Sequence, residues 1–501
     1  TVSESSGISV IARVDNNIQH FRHSESDPKS LSSNQVNDIY EDDDGRIWLG
    51  TYEGLDLYIE ESNDFLRFTK QNTDLPSDII TSIYQSREGK FWIGTFYGLA
   101  SGTPNLFTKV DSINGELSSN SVNAFSETSD GSLWVGTDDG LNRLKPGSQT
   151  FDWINESTIP SISSPDVMSL LAIGDTLWIG TYAGGLNKLN TKTGQTKVYK
   201  HSSLDPGSLG ANGVTSILNT AEGQLIVGTS GGGLSILDQH TDTFVTYRNI
   251  PRDPQSLSNN NVIALYQDSL GLIWVGTEKG LNNFDPQTGA FKHYYSDGDN
   301  PNSLSADMVW AFYEDSLQRL WLGTKGGSLN RWDPEDRIAD KPNFHRYSEN
   351  ISLPSSNIYG IQSDKRGNLW LSHNMGVTSL NLETLQTHLY STEDGLQDAE
   401  FNMGAAFKSA TGAIYFGGNR GFNIISPEGI EADGIAPKVS IADILIMNEK
   451  KIFDVPYYEM KELEIGYEDR MLSVEFFAAD YSNPELVQYA VSYTHLRAHE
   501  T

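Results

Sequence analysis

The phrase W-x-G-T recurs along most of this chain, and its spacing restricts the fold more than any other feature. Its tryptophan stands at Trp48, Trp92, Trp134, Trp178, Trp274 and Trp321. Ile226 replaces it in LIVGT, Trp370 carries it in LWLSH and Tyr415 replaces it in IYFGG, a period of 42 to 49 residues. A period in the forties with strand-like content fits propeller blades of four strands; a helical array would carry a 3.6-residue hydrophobic pattern, absent here. The unit at 260 to 295 divides at its turns into VIALY, LIWVGT, GLNNF and FKHYY, strands A to D. The A–B turns (DDDGR, SREGK, TSDGS) and the C–D turn DPQTG are short hairpins with glycine where a positive φ is needed.

This division gives the repeated tryptophan a role. The apolar run in RIWLGT suits a strand covered on both faces, as in a blade sandwiched between two others. Trp48 and Gly50 share one face, so the glycine leaves room for the adjacent blade. Trp48, Trp92, Trp134, Trp178, Trp274, Trp321 and Trp370 are therefore expected in the blade cores, because a binding aromatic would not need to recur in every unit. The Asp-rich turn YEDDDGRIW reads as a hairpin and not a calcium loop, since SLGL, SATGA and IGDT at equivalent turns carry few or no acids.

Composition excludes several partners. With 35 basic and 66 acidic residues the net charge is −31, which repels phosphate backbones and anionic lipid, so no nucleic acid partner is expected. No apolar run is long enough to span a bilayer, and the absence of cysteine removes disulfides and thiolate chemistry. No G-x-S-x-G elbow, H-E-x-x-H or Walker loop is present, so no catalytic residue, metal site or cofactor is expected.

The phrases SLSSNQVNDIYEDDDGRIWLGTYEGLDLY (30 to 58), SLSNNNVIALYQDSLGLIWVGTEKGLNNFDPQTGAFKHY (256 to 294) and SLSADMVWAFYEDSLQRLWLGTKGGSLNRWDP (303 to 334) resemble the two-component regulator propeller repeats. These occur in the extracytoplasmic sensor region of bacterial hybrid two-component systems. The stretch LEIGYEDRMLSVEFFAADYSNPELVQYA (463 to 490) looks like the beginning of the immunoglobulin-like triple-Tyr domain that follows such propellers. The fold expectation is all-β: a tandem β-propeller followed by a truncated immunoglobulin-like β-sandwich. The resemblance implies a periplasmic sensor that binds a soluble ligand, an oligosaccharide or another small molecule. It also implies a possible homodimer through the triple-Tyr domain, and membrane attachment and a histidine kinase or diguanylate cyclase output beyond the visible chain. A glycan-active propeller lyase or hydrolase and a protein-interaction scaffold stay open as alternatives.

Ten repeat phases exceed one ring. The expected division is residues 1–115 as the last three blades of one propeller, 116–432 as a complete seven-bladed ring, and 433–490 as the triple-Tyr beginning; an eight-bladed ring starting near residue 77 is the alternative. VSESSGISVI (2 to 11) aligns with VGTDDGLNRL (135 to 144), so the chain is expected to enter inside a strand B. Residues 491–501, VSYTHLRAHET, resemble read-through of a sequencing adapter and form a non-biological tail. The last blade lacks a local outer strand, and LFTKV (106 to 110) is expected to supply it by pairing with residues 420–425, covering an exposed edge.

The B–C loops and the long D–A connections share one face. The B–C loops vary where packing does not demand it: DDG, YAGG, SGGG, EKG, KGG, HNMG and NRG. Tyr182, Lys279, Lys325, His373, Asn374 and Arg420 on these loops are the ligand-binding candidates, offering a stacking ring and fixed polar groups for a sugar or its carboxylate.

Overall fold

The structure, a computed structural model, describes residues 2–3, 7–11, 18–27, 29–42, 45–59, 63–71, 73, 75–86, 90–102, 107–112, 117–148, 150–347, 351, 353–425, 427, 439–450 and 471–478, with isolated positions 456, 460 and 463. Most of the expected triple-Tyr segment and all of 491–501 lie outside the described residues. The chain divides into two compact units, Thr1–Pro104 with Glu431–Thr501, and Asn105–Ile430.

The unit Asn105–Ile430 holds seven four-stranded antiparallel sheets, named here by the residue at the tryptophan position. Six draw all their strands from one stretch of chain; the Trp134 sheet uses Val122–Glu127, Leu133–Thr137, Gly140–Leu144 and Phe151–Ile154 in that order. The Tyr415 sheet combines Phe401–Lys408, Ile414–Gly418 and Gly421–Ile425 with Phe107–Val110 as its outer strand. The register is Phe107↔Ile425, Thr108↔Ile424, Lys109↔Asn423 and Val110↔Phe422, the pairing expected from sequence. Because this strand belongs to the ring, the unit begins at Asn105 and not at residue 116.

The repeated phrase is a set of packing devices. A methyl group on Gly180, Gly228 or Gly417 would fall 2.5 Å, 2.5 Å and 2.7 Å from a γ-carbon of Val214, Val262 and Val122 respectively. Each of these valines opens the inner strand of the next sheet. For Gly417 the next sheet is the first, and Asn402 Nδ2 donates to Val122 O at 3.0 Å across the same junction; the circle closes there. Trp134, Trp178, Trp274, Trp321 and Trp370 are buried between sheets. The indole N–H of Trp274, Trp321 and Trp370 donates to Asp268, Asp315 and Asp364 six residues earlier, at 2.8, 2.8 and 3.1 Å. The turn aspartates are therefore anchors for the tryptophans. Asp268 also accepts from the backbone of Leu270 and Leu272, which shapes the turn.

Two further devices complete the unit. The threonine of W-x-G-T donates to the carbonyl beyond the B–C loop, as Thr277 does to Gly280 at 2.9 Å. The asparagine of the G-L-N segment is buried and accepts from the D–A connection: Asn142 from Ser118 N–H at 2.8 Å, Asn282 from Ser258 N–H at 3.0 Å.

The other unit contains the same construction in the four-stranded Trp48 sheet, Val36–Glu41, Ile47–Thr51, Leu55–Ile59 and Asp64–Phe68. Trp48 is buried, and Asp42 accepts from its indole N–H at 2.8 Å. In this sheet Asp56 replaces the buried asparagine, and burial pushes its carboxyl pKa up. The Trp92 sheet has three strands, Ile80–Gln85, Phe91–Thr95 and Gly98–Gly102. No described outer strand covers it, and Trp92 is accordingly only half-buried. Val2–Ser3, Gly7–Ile11 and Ile18–Phe21 pair in B, C, D order, as the alignment of 2–11 with a later unit implies. Val439–Ile446 is flanked by Glu449–Lys450 and Leu472–Ala478 in a separate three-stranded sheet.

Candidate functional site

Antiparallel order within each sheet puts the B–C loops and D–A connections at one end of the ring. Tyr182 is 64% exposed on the Trp178 loop. Lys279, Lys325, Asn374 and Arg420 are exposed on the Trp274, Trp321, Trp370 and Tyr415 loops. His373 departs from this set. It is 0% exposed; Met375 N–H donates to its Nδ1 at 3.1 Å, so Nε2 carries the proton and donates to Thr378 Oγ1 at 2.8 Å. Burial pulls its pKa down to about 4. His373 thus braces its loop, as Thr277 does in the Trp274 sheet, and both ring nitrogens are occupied. It is not a group a ligand could reach.

Three of the remaining candidates gather around residues that the sequence reading passed over. Trp310 on the inner strand Val309–Glu314 packs on Tyr359, which precedes the inner strand Gly360–Ser363, with ring centroids 5.0 Å apart. Lys325 Nζ lies 5.6 Å from the Trp310 ring centroid, within cation–π range. The Tyr359 hydroxyl donates to Glu400 Oε1 at 2.9 Å, and burial followed by this carboxylate pushes its pKa up to about 12, so it stays a neutral donor. Two residues before Glu400, Asp398 pairs with Arg420 Nε at 3.0 Å, and Arg420 N–H donates to Gln397 Oε1. Ser355 donates to Asn374 Oδ1 at 2.6 Å on the neighbouring loop.

The resulting mouth presents an aromatic wall, a lysine, a carboxylate and an Arg–Asp pair along the Trp321, Trp370 and Tyr415 sheets. Among the described residues no carboxylate pairs with Lys325 or Lys279. Tyr182 and Lys279 lie on other sheets and make no described side-chain contact with this cluster. A signal for the wall existed in the sequence. Of the 10 tryptophans, only Trp153, Trp310 and Trp332 fall outside the W-x-G-T positions, and Trp332 is core. The residue equivalent to Trp310 is Asn123, Met168, Thr215, Ile263 and Asn402 in other sheets. Among the described residues, no group of three His, Asp or Glu side chains is arranged to hold a metal, and no helix is long and apolar enough to cross a membrane.

Comparison with known proteins agrees with this architecture. The profile of the two component regulator propeller matches residues 30–53, 74–97, 116–139, 256–279, 303–326 and 352–375. The units it omits include those with Ile226 and Tyr415 in place of the tryptophan. Histidine kinase P4 of Formosa agariphila is 28% identical over 142 residues, 27% of this chain and 10% of that protein. The extracellular domain of a putative hybrid two component system of B. thetaiotaomicron has the same fold, with a TM-score of 0.63 and 23% identity over 96% of this chain and 67% of that one. That of a putative one component system from the same organism gives 0.54 and 20% over 94% of this chain and 63% of that one. Six of the units of this all-β chain are two-component regulator propeller repeats.

Proposed function

We propose that this chain is the extracytoplasmic sensing region of a two-component regulatory system and binds a soluble oligosaccharide at the ring mouth without transforming it. The observation that carries the reading is the Trp310–Tyr359 wall with Lys325 and Glu400 at its edges. An aromatic surface beside fixed donors and acceptors suits the apolar face and hydroxyl rim of a sugar ring. Lys325, which has no carboxylate partner among the described residues of a chain of net charge −31, gives a sugar carboxylate a favourable contact. The repeat match and the kinase relative support a signalling role, and the extracellular location of the proteins sharing the fold supports an extracytoplasmic one. The cytoplasmic output, the triple-Tyr identity of 433–490 and dimerisation through it belong to the same proposal.

Incubating the protein with a glycan panel, and reading thermal shift and product release together, tests this. A ligand-dependent rise in melting temperature with intact glycan is expected. Glycan cleavage would favour a propeller lyase or hydrolase, and the absence of any shift would leave the scaffold reading.

A further inference from the structure

Four of the D–A connections contain the same turn, DPKSL at 27–31, DPGSL at 205–209, DPQSL at 253–257 and NPNSL at 300–304. In each the serine hydroxyl donates back to two carbonyls. Ser208 reaches Ser202 O at 3.0 Å and Asp205 O at 2.6 Å, and Ser303 reaches Asp297 O and Asn300 O, both at 3.0 Å. Ser30 and Ser256 do the same. The turn is thereby wound into a cradle of carbonyl oxygens, each with a second lone pair to offer.

In three of the four units the next sheet fills this cradle with a donor. The donor stands on the outer strand, opposite the residue that anchors the connection: Arg67 opposite Asp56, His293 opposite Asn282 and Arg346 opposite Asn330. Arg67 Nη2 donates to Ser30 O at 3.1 Å, His293 Nε2 to Ser256 O at 2.6 Å and Arg346 Nε to Ser303 O at 2.9 Å. Arg346 Nη2 goes deeper, to Asp297 O at 3.2 Å and Asn300 O at 3.0 Å. In the fourth unit the same register, opposite Ser235, holds Thr246. Its short side chain bonds with Ser235 Oγ at 2.9 Å, and among the described residues nothing donates to Ser208 O. A hollow of about 310 Å³ lies there, walled by Ser202, Asp205, Ser208 and Thr246. Leu209 O is already engaged by His201 Nδ1 at 2.7 Å, so Ser202 O, Asp205 O, Ser208 O and the Asp205 side chain are what a ligand meets. Arg248, two residues on from Thr246 and thus on the same face of its strand, lines the hollow as well. Its Nη2 donates to Gly210 O at 2.8 Å, and among the described residues it pairs with no carboxylate.

We infer that the hollow between the connection 201–209 and Thr246 is a second binding site, for an amino acid or peptide C-terminus that carries both a guanidinium and a carboxylate. The guanidinium takes the place that Arg346 fills in its own unit, donating to the vacant carbonyls, and the carboxylate pairs with Arg248. The site is independent of the mouth. L-arginine and the tripeptide Gly-Gly-Arg serve as probes and separate a free amino acid from a peptide end; agmatine, which lacks the carboxylate, and L-citrulline, which lacks the charge, are the controls. Each is titrated in ligand-observed saturation-transfer NMR against wild type, Thr246→Arg and Arg248→Ala. Thr246→Arg supplies the guanidinium from within, and its melting temperature is expected to be undiminished, because Arg67 and Arg346 occupy the same register. Saturable binding of at least one probe is expected, about tenfold weaker or more in both variants and for both controls. Binding of neither probe, binding unchanged in Thr246→Arg, or a control that matches arginine in the component this variant removes would overturn the inference. Should Thr246→Arg not fold, Arg248→Ala decides, since unchanged binding in it overturns the inference equally.

Discussion

The Trp274 and Trp370 sheets differ in how closely they follow the repeat. In the Trp274 sheet every strand is local, Thr277 braces the B–C loop, Asn282 anchors the D–A connection and Ile263 faces the mouth. Two sheets further on, the Trp370 sheet keeps its tryptophan and turn aspartate but substitutes His373 for the threonine, Thr378 for the asparagine and Ser372 for the glycine. The last exchange is compensated: Gly360 gives up its own side chain beside the Ser372 hydroxyl, which is buried without a hydrogen-bond partner. The adjoining Tyr415 sheet borrows a strand from the start of the unit. The strand order is thus kept around the circle while individual packing positions are exchanged, and the position facing the mouth, which varies from sheet to sheet, is aromatic at Trp310 and Tyr359, where the wall stands.

The largest expected effect separates local from borrowed closure. Phe107 is fully buried among Trp370, Tyr390 and Phe416, so Phe107→Ala should cost about 3–5 kcal/mol, as should Phe291→Ala in the regular Trp274 sheet. Hydrogen exchange distinguishes them: Phe107→Ala should expose residues 107–110 and 421–425 together, whereas Phe291→Ala should expose residues around 280–294. Exposure of 107–110 without 421–425 would break the claim that this strand closes the ring.

A smaller effect follows from His373. Its pKa falls from 6.5 to about 4 on burial, so the folded state holds the neutral ring and the unfolded chain takes up a proton first. Its contribution is intact above pH 6.5 and declines as pH falls towards 4, by about 3 kcal/mol in total. Denaturant melts of His373→Thr, which installs the residue used by the regular sheets, should show this acid-side decline reduced by that amount. An identical pH profile in the variant would contradict the buried neutral assignment.

These contrasts show what was legible in sequence and why. Trp134 and Gly180 could be read because packing between like neighbours imposes the same residue in each unit, and repetition exposes the constraint. The borrowed strand could be read because the last unit ran out of strands before Ser426 while LFTKV had no local partner. The asparagine anchors at Asn142 and Asn282 repeat as well, but their partner lies on the preceding D–A connection, 24 residues away, a pairing that periodicity does not reveal. His373 was misread because loop position implies exposure, whereas its ring turns inward to replace a threonine hydroxyl. Trp310 and Tyr359 were passed over because they lie on or beside inner strands and not on the loops where binding groups were sought.

The central claim is that the ligand is held by the aromatic side of the mouth. Isothermal titration with whichever oligosaccharide the panel returns tests it, comparing Trp310→Ala/Lys325→Ala with Tyr182→Ala/Lys279→Ala on the other sheets. The first pair should lose at least about 1.4 kcal/mol, tenfold in affinity, and the second should lose little. An unchanged affinity in the first pair, or the larger loss in the second, would contradict the account.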